Sequence, residues 1–204
     1  MNPDELSVKN IINKIKSGEY VSDEEVSYIG NQVEVNPTGQ AIQAFAATHE
    51  PTEKNVSKIL AFWNDDVDDY VCSSAISAIC GPNGWELAKS YVERLMTYSA
   101  VERWEKRWDS VIRSLSSLGY YLHNTQDPEI YERLLNRLLT LPVVERGVNS
   151  RFDEDYENCL FDALLYGVTG HHGIAYKAVY HKNRESEDKV LDMVREKIRL
   201  GLKR

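Results

Sequence analysis

The sequence predicts an all-α chain: a stacked array of about ten helices. Three observations predict it. One five-residue pattern recurs four times, capping residues precede each apolar run, and no stretch alternates as a strand does. The pattern runs small or apolar, large apolar, polar or small, small, large apolar. It reads Ala41-Ile42-Gln43-Ala44-Phe45, Ala75-Ile76-Ser77-Ala78-Ile79 and Ser114-Leu115-Ser116-Ser117-Leu118, with a looser copy at Leu160-Phe161-Asp162-Ala163-Leu164. The second positions are 34, 39 and 46 residues apart, the scale of helical repeats. Small residues let two helices approach closely, and large ones three apart share a helix face.

The elements follow in order. Asn2 can cap and Pro3 suits a first helical position; Leu6, Val8, Ile11, Ile12 and Ile15 then recur at helical spacing until Gly18. Ser22 with Glu25 is a capping box that opens a second helix to about Val35. After the turn Asn36-Pro37-Thr38-Gly39, the first pattern copy lies in a helix to about Thr48. Pro51-Thr52-Glu53 starts a helix carrying Val56, Ile59, Leu60 and Trp63. The acidic turn Asn64-Asp65-Asp66 leads into the second copy, closed by Gly81-Pro82-Asn83-Gly84.

Residues 85–98 supply Leu87, Ala88, Tyr91, Val92 and Leu95, and residues 103–123 carry the third copy. Asp127-Pro128-Glu129 caps a helix with Ile130, Leu134, Leu135, Leu138 and Leu139. Residues 142–151 read as irregular, residues 152–166 as the helix of the fourth copy, and Gly167, Gly170 and Gly173 as a break. A last helix over 186–202 has one apolar stripe, Val190, Met193, Val194, Ile198 and Leu202, with basic residues toward its end.

Composition narrows the function. The 204 residues carry a net charge of −8. Residues 171–204 hold 9 basic and 5 acidic side chains, while the rest holds 15 and 27, a balance of −12. So acidic a body repels phosphate backbones and steers toward basic partners, which argues against nucleic acid. No run nears the ~20 apolar residues of a membrane span, and the start lacks a secretion signal, so a cytoplasmic address is expected. Cys72, Cys80 and Cys159 form no CxxC pair and read as core thiols.

No catalytic constellation, cofactor fingerprint or metal set emerges. His171-His172, with His181 beyond, lacks the spacing that places two imidazoles on one helix face, and reads as loop surface. Asp65-Asp66-x-Asp68-Asp69 lacks the alternating oxygens and terminal Glu of a calcium loop. No P-loop, nucleophile elbow or dinucleotide motif is present.

The stretch from Asp68 to Gly81, Asp-Asp-Tyr-Val-Cys-Ser-Ser-Ala-Ile-Ser-Ala-Ile-Cys-Gly, resembles the second helix of a HEAT repeat. That family's pattern is an acidic turn, an aromatic or proline, Val-Arg, then Ala-x-x-Ala-Leu-Gly. Trp108-Asp109-Ser110-Val111-Ile112-Arg113-Ser114-Leu115-Ser116-Ser117-Leu118-Gly119 is similar, and Asp155-Tyr156-Glu157-Asn158 takes the matching place in the last copy. The Arg after Val is replaced by Cys72 and Ile112. The resemblance covers residues 36–167 and implies a right-handed α-solenoid or superhelix of HEAT-like hairpins, one domain with 1–35 and 168–204 as caps.

It further implies that the turns before the second helices share one rim. That rim would carry Asp65, Asp66, Asp68 and Asp69, then Glu105, Trp108 and Asp109, then Asp153, Glu154, Asp155 and Glu157, beside Trp63, Tyr70, Trp104 and Tyr156, with Asp65, Asp66, Asp68, Asp69, Trp104, Trp108, Asp109, Asp153 and Asp155 as the expected contact residues. One or two carboxylates per helix start are explained by capping and the helix dipole; four within Asp65–Asp69 exceed that. Trp104 and Trp108 are four apart, and one is expected inside with the other available to a partner. Short length, acidity and the absence of a catalytic motif resemble the immunity proteins of bacterial toxin systems, which block basic toxin domains. An adaptor for cellular protein complexes is the alternative expectation. A glycosylase like the HEAT-like DNA-alkylation enzymes is less favoured, because it needs a basic groove.

Overall fold

The computed structural model describes residues 6–82, 84–141, 151–172 and 184–201, with only the helical backbone given for Trp85, 151–155 and 184–187. Among the described residues there are ten α-helices, one short 3-10 helix and no strand. Contacts divide the chain into two compact units, Met1–Ile79 and Cys80–Arg204.

In the first unit, α1 (Val8–Ser17) is capped by the Ser7 side chain and stopped by Gly18 at φ 74°. That left-handed geometry favours glycine, so this stop was readable. The helix therefore starts later than the expected Asn2-Pro3, because Ser7 takes extended backbone (φ −140°, ψ 148°) and its hydroxyl accepts the Asn10 amide; Asn2 and Pro3 themselves lie outside the described residues. The helix α2 (Asp23–Val35) opens on the capping box: the Glu25 amide donates to Ser22 Oγ at 3.3 Å and the Ser22 amide to Glu25 Oε2 at 2.9 Å. Glu25 is buried and also receives Lys14 Nζ at 2.7 Å, so one carboxylate joins two helices. Thr38 and Thr52 cap α3 (Gly39–Thr48) and α4 (Glu53–Leu60). Asp68 precedes α5 (Asp69–Cys80). The helix α3 packs on both α1 and α2. Ile11, Ile29, Ile42, Phe45, Trp63 and Ile76 are fully enclosed, each contributing about 1.5–3 kcal/mol of transfer free energy.

In the second unit, α6 (Trp85–Tyr98), the 3-10 turn Val101–Arg103, α7 (Trp108–Thr125), α8 (Pro128–Thr140), α9 (Arg151–Thr169) and α10 (Arg184–Gly201) follow. Each of α7 to α9 packs on its neighbour and on a helix two along: α7 on α6 and α9, α8 on α9 and α10. Buried Leu115, Leu118, Leu160, Phe161 and Leu164 are the large residues of the third and fourth pattern copies. Where α7 crosses α9, a Cβ on Gly119 would sit 3.2 Å from the Ala163 carbonyl oxygen.

Two expectations are corrected. The third-copy helix begins at Trp108, not 103, because Arg107 takes φ −136° and ψ 47°, outside the helical region. The charged run from Glu102 to Arg107 has good helix propensity, which hid this turn. Gly167 is no break: α9 continues through it to Thr169. Glycine is needed there for packing, since a Cβ would lie 2.9 Å from both Leu122 Cβ and Tyr131 Oη. The irregular segment 142–150, Gly173 and His181 lie outside the described residues.

Candidate functional site

In the first unit the acidic turn is a built structure. Asn64 Nδ2 donates to the Ala61 carbonyl at 2.6 Å, and Asn64 Oδ1 accepts the Asp66 amide at 2.8 Å. Asp68 Oδ1 accepts the Tyr70 amide at 2.9 Å and caps α5. Asp65, Asp66 and Asp68 are exposed, and Asp69 is half-buried. Tyr70 is 45% exposed. Its ring is seated against Gly39, where a Cβ would come within 2.4 Å of it. An aromatic thus stands among carboxylates with one edge anchored.

Charge sharpens this picture. Met1–Ile79 holds 13 acidic and 5 basic side chains, a balance of −8, whereas Cys80–Arg204 holds 19 of each. The whole net charge of the chain belongs to the first unit.

In the second unit Trp104 and Trp108 separate as expected, one inside and one outside. Trp104 is 2% exposed and Trp108 44%. Trp104 packs edge-on against Tyr156 at 5.4 Å and supports Trp108 at 6.1 Å. Trp104 is therefore core rather than a contact surface, and so are Trp63 and Tyr156. Of the five aromatics placed on the strip, Tyr70 and Trp108 remain at the surface. Asp109 is half-buried in the first turn of α7. Asp153 and Asp155 fall in the first turns of α9, but their side chains lie outside the described residues. The strip residues fall in both units.

Tyr156 has a second task. Its hydroxyl donates to the Ser99 carbonyl at 2.9 Å, and Arg137 Nη1 donates to the same carbonyl at 2.9 Å and to Ser99 Oγ at 2.8 Å. Arg137 Nη2 reaches the Met96 carbonyl at 3.3 Å. These groups satisfy the orphan carbonyls that end α6. Burial pushes the Tyr156 hydroxyl upward, against the opposing Arg137 charge.

One constellation escaped the sequence reading. His172 lies just past α9, with Nδ1 3.2 Å from Asp162 Oδ2 and Nε2 2.9 Å from the Tyr120 hydroxyl. Asp162 comes from α9 and Tyr120 from α7. Tyr166 packs against both rings, at 4.8 Å from Tyr120 and 4.3 Å from His172. Gly170 at φ 72° turns the chain back and leaves room for His123, whose ring would be 2.7 Å from a Cβ there. His172 partners lie ten and 52 residues away, a separation that a search for local spacing passes over. His171 is exposed, its amide donating to Thr169 Oγ1 at 3.2 Å.

Among the described residues no three His, Cys, Asp or Glu side chains form a set able to hold a metal, and no helix is long and apolar enough to cross a membrane. Cys72 and Cys80 are buried and Cys159 half-buried, none of them in a disulfide. No family model, no curated protein and no solved structure matches this chain.

Proposed function

We propose that this protein is a binding module. Its HEAT-like hairpins stack as a right-handed solenoid that holds a basic protein partner, as an immunity protein covers a basic toxin domain in the cytoplasm. No catalytic step belongs to this reading. The observation that carries it is a device used twice. At the start of α5 and again at α7, an aromatic about 45% exposed stands beside aspartate in or just before the first turn, Tyr70 with Asp68 and Asp69, and Trp108 with Asp109.

Such a pair suits a Lys- or Arg-rich surface. The ring face attracts a cation and offers apolar area, while the carboxylate supplies charge-assisted hydrogen bonds. The −8 balance of Met1–Ile79 supports the sign of the partner and assigns long-range steering to that unit.

The test is affinity capture from the native host, then association kinetics with the purified partner at low and high salt. Reversing Asp65, Asp66, Asp68 and Asp69 to Lys should slow association about tenfold or more. Trp108→Ala should speed dissociation, at a cost of about 2 kcal/mol or more. A partner bound with unchanged rates by both variants, and without salt dependence, refutes the reading.

A further inference from the structure

We propose that Tyr120 is a nucleophilic tyrosine, with His172 as its general base and Asp162 as the positioning residue, and that it takes an acyl group from an activated carboxylic ester. This goes beyond the binding reading and rests on different residues.

The geometry is that of an activated nucleophile: nucleophile and base within hydrogen-bond reach, and the base oriented by a third group. The Asp162 carboxylate accepts from His172 Nδ1–H at 3.2 Å, which leaves the Nε2 lone pair to accept the Tyr120 proton at 2.9 Å. Tyr166 walls both rings, fixing their approach. Gly119 and Gly170 make the assembly possible, the first by letting α7 approach α9 at Ala163, the second by returning the chain over α9. Tyr120 is half-buried, and the His172 and Asp162 side chains are 39% and 30% exposed.

A base is required here. Burial, reinforced by Tyr166 and Asp162 and opposed by Arg113, holds the Tyr120 hydroxyl above the ordinary phenol range, so no standing phenolate is expected at neutral pH. The proton must leave during attack. Tyr120 Oη forms a bond to the acyl carbon as its proton passes to His172 Nε2. The ester C–O bond then breaks with its electron pair going to the leaving alkoxide or phenoxide, which takes the proton from His172 or water. The products are O-acyl-tyrosine and the free alcohol, with no redox change.

Other tyrosines of the chain supply the controls. Tyr121 donates to Asp127 Oδ2 at 2.6 Å, and burial and that carboxylate push it up to about 12. Tyr20 and Tyr70 are more open to reagent, Tyr20 at 79%. The test treats the full chain with p-nitrophenyl acetate, follows nitrophenolate release, and maps the acetyl group by peptide mass spectrometry. Tyr120 should acetylate ahead of Tyr20, Tyr70 and Tyr121. Tyr120→Phe should remove that adduct, and His172→Gln should slow it about a hundredfold. Asp162→Asn should slow it as well, by leaving the imidazole in the wrong tautomer. Circular dichroism checks that each variant keeps its helix content, and if His172→Gln loses it, Asp162→Asn decides. Labelling that simply follows exposure, Tyr20 first, overturns the proposal. So does an unchanged Tyr120 rate in a folded His172→Gln or Asp162→Asn chain.

Discussion

The end of α6 offers a quantitative test of the second unit. Ser99 is fully buried, and its carbonyl is held by two donors from different helices, Arg137 of α8 and Tyr156 of α9. Arg137→Met keeps the aliphatic stem but removes three hydrogen bonds, to Ser99 O, Ser99 Oγ and Met96 O. Bonds from a charged donor are each worth about 1.5–3 kcal/mol, but Arg137 is half-exposed and water recovers part of that. The expected loss is about 2–3 kcal/mol, a fall in Tm of roughly 5–10 °C. Tyr156→Phe removes one neutral bond, about 1 kcal/mol.

The double variant carries the decisive prediction. Either single variant leaves the Ser99 carbonyl one partner, but the double leaves it none in a buried site. Its loss should therefore exceed the sum of the singles by about 0.5–1 kcal/mol. Urea unfolding followed by circular dichroism measures all three. A double variant that is merely additive, or an Arg137→Met loss below about 0.5 kcal/mol, refutes the shared-cap reasoning.

Two further predictions concern the first unit and the glycines. The Lys14 ammonium, together with the Ser22 amide, holds the Glu25 carboxyl below the usual carboxylate range. Its stability contribution is then complete above the unfolded pKa and lost as pH falls through the lower folded one. Glu25→Gln should cost about 1–2 kcal/mol at neutral pH. Denaturation across the acid range should show that difference shrink below about pH 4; a constant difference would exclude the linkage. Gly167→Ala and Gly30→Ala, both within helices, should shift stability in opposite directions. The first forces a Cβ against Leu122 Cβ and the Tyr131 hydroxyl at 2.9 Å, costing about 1–3 kcal/mol less any gain in helix propensity. The second meets only His49 Nε2 at an ordinary 3.6 Å and should stabilise by up to about 1 kcal/mol. Thermal unfolding of both variants reads the two signs, and equal signs would contradict the packing account.

The helices were legible where their ends are written in short-range chemistry. Gly18, the Ser22–Glu25 box, Thr38, Thr52 and Asp127 are local signals: the first ends a helix and each of the others opens one. The start of α7 was not legible, because the residues before it have good helix propensity and the ring that Trp104 packs against there, Tyr156, lies more than 50 residues away. Gly167 was misread for the same kind of reason. A glycine that breaks a helix and one that lets another helix approach look identical until the neighbour, here Tyr131 of α8, is known.

The candidate sites divide along the same line. Acidic, aromatic turns are contiguous in sequence, so their presence could be read, but which ring faces outward depends on packing. Trp104 and Trp108 have near-identical local contexts and opposite fates. The Tyr120–His172–Asp162 assembly is non-local throughout, yet it left one trace in the repeat pattern. The third slot of that pattern is polar and only partly covered in every copy: Gln43, Ser77, Ser116 and Asp162. Three of the four are neutral. In the first copy the slot reaches another helix, Gln43 Nε2 donating to Ser74 Oγ of α5 at 3.3 Å. Asp162 instead turns toward His172, so the departure from the pattern, rather than the pattern, marks the residue that joins the proposed Tyr120–His172 pair.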